Sequence, residues 1–437
     1  MKWAILGGGL TGVTLARLLK EKGHDVMVLE KEPKIGGLCK SETRNGFTFD
    51  CGGSHIIFSR DGEVLSFMQN VLEKNREFRN RNTKIFYKGQ YIKYPFENGL
   101  SALPKEDLFF CINEYIKNLI AVEKGIVPEP KNFKDWIYCT FGKGIAECYL
   151  VPYNEKIWNY PADKMSKHWM DGRVPRPPVE DIIKSAIGIE TEGYTHQAVF
   201  SYPVDGGIES LIHAIAEPTA DSIKTNFTVT SVMNTGDGWT VSNGREIISA
   251  DRVISTLPLQ TLLPMLHVPA PIREACDALR YNSIACVSVG FKGTVPDISW
   301  MYVPEDKWGA FNRLSFPSNF SSRVAPEGCS AVLAEITFNE GDDISKLSDA
   351  ELISHTVDGL VKMGILPSKD VVVHTAVDRF KFAYVVYDLE YQKNIKIVRE
   401  YLEGTLSVDL VGRFSEFEYI NMDGCIRSAM NFVEKNA

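Results

Sequence analysis

Lys2-Trp3-Ala4-Ile5-Leu6-Gly7-Gly8-Gly9-Leu10-Thr11-Gly12-Val13-Thr14-Leu15-Ala16-Arg17-Leu18-Leu19-Lys20 is the stretch whose reading decides the fold. The apolar run Trp3 to Leu6 reads as a strand that passes straight into Gly7-x-Gly9-x-x-Gly12. From Val13 to Lys20 the apolar residues fall at helical spacing, so the last glycine opens a helix. Gly23 ends that helix, and Val26-Met27-Val28-Leu29 reads as a buried strand. Glu30 stands at its carboxyl end, eighteen residues beyond Gly12. This is the context in which the glycine spacing binds a dinucleotide. Gly9 lets the backbone approach a pyrophosphate, the helix start offers amides and partial positive charge, and Glu30 suits the two ribose hydroxyls of adenosine.

The chain has 437 residues, more than one hydrophobic core usually supports, which predicts two or three domains. Its 44% hydrophobic and 24% charged residues are ordinary for a folded enzyme and unlike a disordered chain. With 48 Lys plus Arg against 56 Asp plus Glu the net charge is -8, and no basic stripe emerges, so nucleic acid is not an expected partner. A few arginines in a cleft can still hold an anion. The nine cysteines are scattered without a Cys-x-x-Cys, so no metal site is expected, and a reducing compartment is. No apolar run reaches roughly 18 residues, so no spanning helix is predicted. Met1 to Leu6 resembles the start of a signal peptide, but glycines interrupt it at once; the expected location is the cytoplasm, with no membrane partner.

Further along, the pattern becomes helical. Leu108, Phe109, Ile112, Tyr115, Ile116, Leu119 and Ile120 fall on one face after Pro104, and a second helix is predicted from Asn132 to Phe141, closed by Gly142. Arg173-Val174-Pro175-Arg176-Pro177-Pro178 reads as an extended crossing. Strands follow. Val229 to Met233, Trp239 to Ser242 and Glu246 to Ser255 read as a meander, and Cys286 to Phe291, Trp300 to Val303, Ala331 to Phe338 and Val371 to Val377 as further strands. Ser348-x-x-Glu351 is a capping box that opens a helix to about Met363. A strand near Leu406 to Leu410 and a helix from about Asp423 to Glu434 close the chain. The resulting fold class is α/β: a Rossmann-like domain assembled from residues 1–90, 191–280 and 386–437. A helical domain is inserted over 91–190, and a mixed or antiparallel sheet domain over 281–385.

Gly36-Gly37-Leu38 and Asp50-Cys51-Gly52-Gly53 follow the first glycine turn, Ala250-Asp251-Arg252-Val253-Ile254-Ser255 reads as a returning strand, and Gly412-Arg413-Phe414 precedes Asn421-Met422-Asp423. In this order the segments resemble the FAD-binding superfamily of amine oxidases, protoporphyrinogen oxidases and UDP-galactopyranose mutases. Others resemble the mutases, above all the eukaryotic kind. These are His55-Ile56-Ile57-Phe58-Ser59 (with Ser54 as one extra residue before it), Tyr94-Pro95-Phe96-Glu97-Asn98, Leu103-Pro104-Lys105-Glu106 and Pro152-Tyr153-Asn154-x-Lys156-x-Trp158. Trp300-x-Tyr302-x-Pro304-Glu305 and Phe311-x-Arg313 complete the set.

The resemblance implies FAD, active in its reduced form. Its binding residues would be Gly7, Gly9, Leu10, Thr11 and Gly12 at the first turn, then Glu30, Lys31, Gly36, Gly37 and Leu38. Gly53, His55, Val229, Gly412, Arg413, Asn421, Met422 and Asp423 would follow. A helix start at Met422-Asp423 would set amides beside the flavin pyrimidine and favour the anionic reduced form. The implied substrate is a nucleotide sugar, with Arg173 and Arg313 clamping its diphosphate through bidentate bonds and Tyr384 and Tyr419 adding hydroxyls. Phe58, Tyr94, Phe96, Glu97, Asn154, Trp158, Gln197, Trp300 and Tyr302 would surround the rest. His55 would orient the reactive edge of the flavin instead of acting as the main base. The loops from Arg173 to Gly193 are the expected lid, with Gly188 and Gly193 as flexing points. The implied reaction interconverts pyranose and furanose forms of UDP-galactose or a related sugar by attack of reduced flavin N5 on the anomeric carbon, without net redox. An electron donor must reduce the flavin; NAD(P)H in that role and a homodimer as the assembly stay open.

Three positions depart from the family pattern. Glu97 stands where the mutases carry a glutamine against uracil, and an ionised carboxylate cannot donate to a carbonyl. Gln197 and Asp423 stand where the eukaryotic enzymes have asparagines. The mutase chemistry is therefore the firmer expectation, and the identity of sugar and base the looser. Two rivals remain: an oxidase of the amine oxidase or protoporphyrinogen oxidase kind, which needs no diphosphate clamp, and a flavin-carrying binding protein without turnover.

Overall fold

A computed structural model describes residues 1–170, 177–191 and 198–437. The first strand, Lys2–Leu6, is the middle of a five-stranded parallel sheet ordered Asp409–Leu410, Arg252–Ser255, Lys2–Leu6, Asp25–Leu29, Ile223–Lys224. Trp3, Ala4, Ile5 and Leu6 are all fully buried, because both faces of the sheet are covered. Trp3 and Ile5 pack with Leu15, Ala16 and Leu19 of the helix Leu10–Glu21 and with Ala429 and Val433 of the C-terminal helix Met422–Asn436. Ala4 and Leu6 meet Val232, Trp239 and Val241 of a three-stranded antiparallel meander. Each buried aliphatic side chain contributes ~1.5–3 kcal/mol, and this two-sided burial draws distant segments together.

The meander corrects one expectation. Glu246 to Ser255 is not a single strand: Ile247–Ala250 completes the meander, and Arg252–Ser255 joins the parallel sheet. Asp251 lies between them, and its carboxylate accepts the Lys2 N–H at 2.7 Å, fixing the change of sheet to the start of the first strand. Both halves are apolar-rich and extended, so the pattern along the chain carries no sign of the switch.

A seven-stranded sheet runs Val372–Val386, Arg280–Lys292, Cys329–Phe338, Arg313–Ser315, Trp300–Tyr302, Thr83–Tyr87, Gln90–Lys93. It is antiparallel except where Trp300–Tyr302 pairs with Thr83–Tyr87 in parallel. Two of its strands are longer than predicted, reaching 13 residues over Arg280–Lys292 and 15 over Val372–Val386. No strand was predicted over 83–93; there a hairpin closes through Lys88 and Gly89, at φ 49° and 83°.

The helices Lys105–Glu123 and Phe133–Ile145 share one apolar core with the helix Val151–Trp158. Asn132 caps the second by accepting the Asp135 N–H at 2.8 Å. Gly142 bends this helix instead of ending it. Its φ is 72°, an added Cβ would stand 2.8 Å from the Glu114 carbonyl oxygen, and helical structure resumes to Ile145 and the π-helical Ala146–Leu150. The capping box forms between Ser348 and Glu351 and opens the helix Asp349–Lys362. Among the described residues no helix is long and apolar enough to cross a membrane, and no His, Cys, Asp and Glu cluster could hold a metal.

Candidate active site

At the carboxyl end of the parallel sheet the Gly7 N–H donates to the Leu29 carbonyl at 2.9 Å. Gly12 lies so close that an added Cβ would stand 2.0 Å from the Gly7 carbonyl oxygen, which admits only glycine. Gly9 precedes the helix Leu10–Glu21 without a side-chain cap, so the first N–H groups lack intrahelical partners. The second glycine pair closes over this turn: the Gly36 N–H donates to the Gly8 carbonyl at 2.9 Å, and an added Cβ on Gly37 would reach within 3.3 Å of the Gly9 Cα. Glu30 is buried, its oxygens accepting the Gly8 N–H at 2.7 Å and the Glu32 N–H at 2.9 Å. Each oxygen keeps a further acceptor site for a ligand hydroxyl.

Other parts of the chain close on the same place. Gly412 packs on buried Thr11, and Leu10 is buried beside it. The helix Met422–Asn436 starts at exposed Asn421 with no side-chain cap, and Asp423 in its first turn accepts the Ser59 hydroxyl at 2.8 Å. Leu38 is half-buried, and Val229 belongs to the core under the meander. Lys31 is exposed and pairs with Glu32 at 3.4 Å.

The segment Asp50 to His55 runs from this cradle toward the seven-stranded sheet. Buried Asp50 accepts the hydroxyls of Ser41 (2.8 Å) and Tyr202 (2.9 Å) and the Ile208 N–H (3.0 Å), while burial pushes its carboxyl up to about 6. Gly53, at φ 100°, brings the backbone against Glu335, whose carboxylate would lie 3.3 Å from an added Cβ. Glu335, which sequence reasoning did not single out, is fully buried. It accepts the Ser54 N–H at 3.1 Å and the Nε (2.9 Å) and Nη2 (2.7 and 2.8 Å) donors of Arg313. The fork of Arg313 is thus turned inward, leaving Nη1 for a ligand. Arg173 and Gln197 lie outside the described residues.

His55 is half-buried, with its Nδ1 lacking a partner among the described residues. Burial, with the positive charges of Arg313 and Arg413, pushes the imidazole down to about 4. The ring is neutral near pH 7.

An aromatic lining continues from Arg313. Tyr384 and Tyr419 flank Arg413, whose guanidinium carbon stands 5.3 and 4.7 Å from their ring centroids. Arg413 donates to the carbonyls of Ile420 at 2.8 Å and Ala383 at 2.5 Å, and its buried Nε has no partner among the described residues. Trp158 meets both tyrosines edge-on and donates to Asn154 at 3.2 Å, while Asn154 donates to the Leu150 carbonyl at 2.7 Å. Those two expected ligand contacts therefore bind each other.

On the other side Trp300 donates to the Tyr302 hydroxyl at 3.2 Å, and half-buried Phe58 packs in the same cluster. The Tyr302 ring meets Tyr94 and Tyr153 at 5.0 and 5.1 Å, and Tyr149 stacks between Tyr153 and Phe96. Arg81, also missed in the sequence, has its guanidinium carbon 5.1 Å from the Tyr94 ring and 4.8 Å from Trp300. The buried hydroxyls of Tyr149 and Tyr153 have no partner among the described residues. Glu97 is buried beside Phe96, and burial pushes its carboxyl up to about 7. Near neutral pH a large share of molecules carry a proton there, and it can donate as an amide would. The bar to donation stated for an ionised carboxylate thus applies only to the molecules that have lost this proton.

Two uncapped helix starts, a glycine cradle and the unpartnered nitrogens of His55 and Arg413 fit a large anionic dinucleotide. The family model for flavin containing amine oxidoreductase matches residues 10–431. The chain belongs to this family. FAD is its cofactor, and it is an enzyme of the flavin oxidoreductase superfamily. As a member of the flavin-containing family it is similar to the crystal structure of reduced UDP-galactopyranose mutase, with a TM-score of 0.89 and 27% identity over 99% of this chain and 94% of that one. In sequence it is 25% identical to the dTDP-fucopyranose mutase of Escherichia coli over 169 residues, 36% of this chain and 41% of that protein. It is 34% identical to the UDP-galactopyranose mutase of Mycoplasma pneumoniae over 73 residues, 16% of this chain and 18% of that protein. The matched stretches span less than half the length of either mutase. Within this family, the Gly7–Gly12 turn and Gly36–Gly37 could hold the FAD pyrophosphate, Glu30 its adenosine ribose, and the Asn421–Asp423 helix start the flavin pyrimidine.

Proposed function

We propose that this flavoenzyme is a nucleotide-sugar mutase that interconverts pyranose and furanose forms of UDP-galactose or a related sugar nucleotide without net redox change. One observation carries the reading: a half-buried arginine, Arg313, is held by fully buried Glu335 between the Gly53–His55 turn and a lining of tyrosines, with an N–H pair left over. An amine substrate, itself cationic, has no use for such a cation; a departing diphosphate does. Bound in reduced form, FAD would supply an electron-rich nitrogen nucleophile for the anomeric carbon.

The chain's own residues have defined tasks in this scheme. Arg313 receives the diphosphate oxygens through Nη1, with Arg173 as its partner and the hydroxyls of Tyr384 and Tyr419 on the same group. Holding that group near keeps it available for the return step. The rings of Trp158, Trp300 and Tyr302 exclude water around it. Neutral His55 orients the flavin-side turn. Glu97, sharing a proton near pH 7, faces the base. Because one mutase relative is named for UDP and another for dTDP, base and sugar are left as a class. The parallel-sheet body is assigned to FAD, and the helical stretch 91–190 with the seven-stranded sheet to the substrate.

The test is to incubate dithionite-reduced protein with UDP-galactofuranose and other furanose sugar nucleotides and to look for pyranose products. Turnover should require reduction and fall with Arg313→Ala. The family match to amine oxidoreductases favours a second reading, a flavin oxidase. Oxygen uptake matching product formation, and surviving Arg313→Ala, would establish that reading instead.

A further inference from the structure

The contacts of Glu335 exceed what its own sheet requires. Its strand, Cys329–Phe338, lies beside Arg313–Ser315 with Glu335 directly across from Arg313, so the cross-strand ion pair alone would satisfy both side chains. A third donor, the Ser54 N–H at 3.1 Å, nevertheless comes from a segment 281 residues away in sequence. To bring it there, Gly53 adopts φ 100° and leaves only 3.3 Å between a would-be Cβ and the carboxylate. On the opposite neighbouring strand Glu335 faces fully buried Cys286, which offers no competing charge.

We infer that Glu335 is a positioning residue: it turns Arg313 so that Nη1 faces the leaving diphosphate, and it ties that guanidinium to the Gly53–His55 turn on the flavin side. The inference rests on the nucleotide-sugar reading above. Without the carboxylate, Arg313 has no fixed direction and the turn loses its anchor. A carboxylate accepts from all three donors at once, whereas the amide of a glutamine would set its own N–H groups against Arg313 or Ser54. A purely charge-tempering role has the opposite signature, since removing a negative charge would then tighten anion binding.

The experiment titrates reduced, FAD-loaded protein with UDP and with dTDP, in wild type, Glu335→Gln, Arg313→Ala and the double variant. Retained flavin absorbance and melting temperature show that each variant is folded. Glu335→Gln should weaken UDP binding about tenfold in the wild-type background and by less than about twofold in the Arg313→Ala background. Equal weakening in both backgrounds, or unchanged or tighter binding in the single variant, overturns the inference. If Glu335→Gln loses FAD, Glu335→Asp keeps the charge but shortens the reach, and it is read by the same two comparisons. Wild-type protein that binds neither nucleotide removes the nucleotide-sugar reading itself, and this inference with it.

Discussion

Replacing Glu97 with glutamine should stabilise the protein in alkali and change it little in acid. Glu97 is 4% exposed, and burial raises its carboxyl from 4.5 to about 7. The folded state therefore holds this proton more tightly than the unfolded state. As pH rises from about 4.5, the unfolded chain releases the proton first and stability falls, until the loss is complete above the folded value near 7. A shift of about 2.5 units at 1.36 kcal/mol each is ~3 kcal/mol. Glutamine has the same shape and no charge to desolvate, so it escapes that cost. For 437 residues, unfolding entropy of about 2 cal/mol/K per residue turns ~3 kcal/mol into roughly 3 °C. The assay is thermal unfolding of both FAD-loaded proteins at acid and alkaline pH. At about pH 5 the gain should stay under ~1 kcal/mol, and at about pH 8.5 it should reach its full size. A difference that does not vary with pH, or a variant less stable in alkali, refutes the reasoning.

Gly12→Ala should yield protein with less than about a tenth of the wild-type flavin per chain, because the new Cβ meets the Gly7 carbonyl at 2.0 Å where the pyrophosphate turn is tightest. Visible absorbance of the purified protein decides it, and full flavin content would be the contrary result. Arg313→Ala strands the fully buried Glu335 without its counter-charge and should cost ~3–5 kcal/mol in denaturant unfolding; an unchanged midpoint would mean the pair is not closed in solution. His55→Asn should lower turnover yet leave the shape of the pH–rate profile intact between roughly pH 5.5 and 8, because His55 titrates at about 4. Loss of a break near neutrality in that variant would show a protonated histidine at work.

What the chain announced by itself were features made by neighbours in sequence. The Gly7–Gly12 turn between strand and helix depends on six adjacent residues whose spacing leaves one geometry. The Ser348–Glu351 cap and the C-terminal helix are similarly local, and both occur where the pattern puts them. The apolar run Trp3 to Leu6, read as a strand, is one, and its four side chains are all buried.

Only the tertiary structure decided the rest, since each remaining feature is set by an atom far away along the chain. Gly142 bends its helix because the Glu114 backbone presses on it, a contact no window around Gly142 contains. The run 246–255 changes sheets at Asp251 because Lys2 offers it an N–H. Glu97 gains its shared proton from burial, and the residue letter alone read as a charge. Glu335 looked like one more polar residue on a strand; its weight comes from Ser54 and Arg313 arriving on either side of it. Periodicity records which face of an element is buried, whereas charge, protonation and the direction of a guanidinium depend on what is packed against that face.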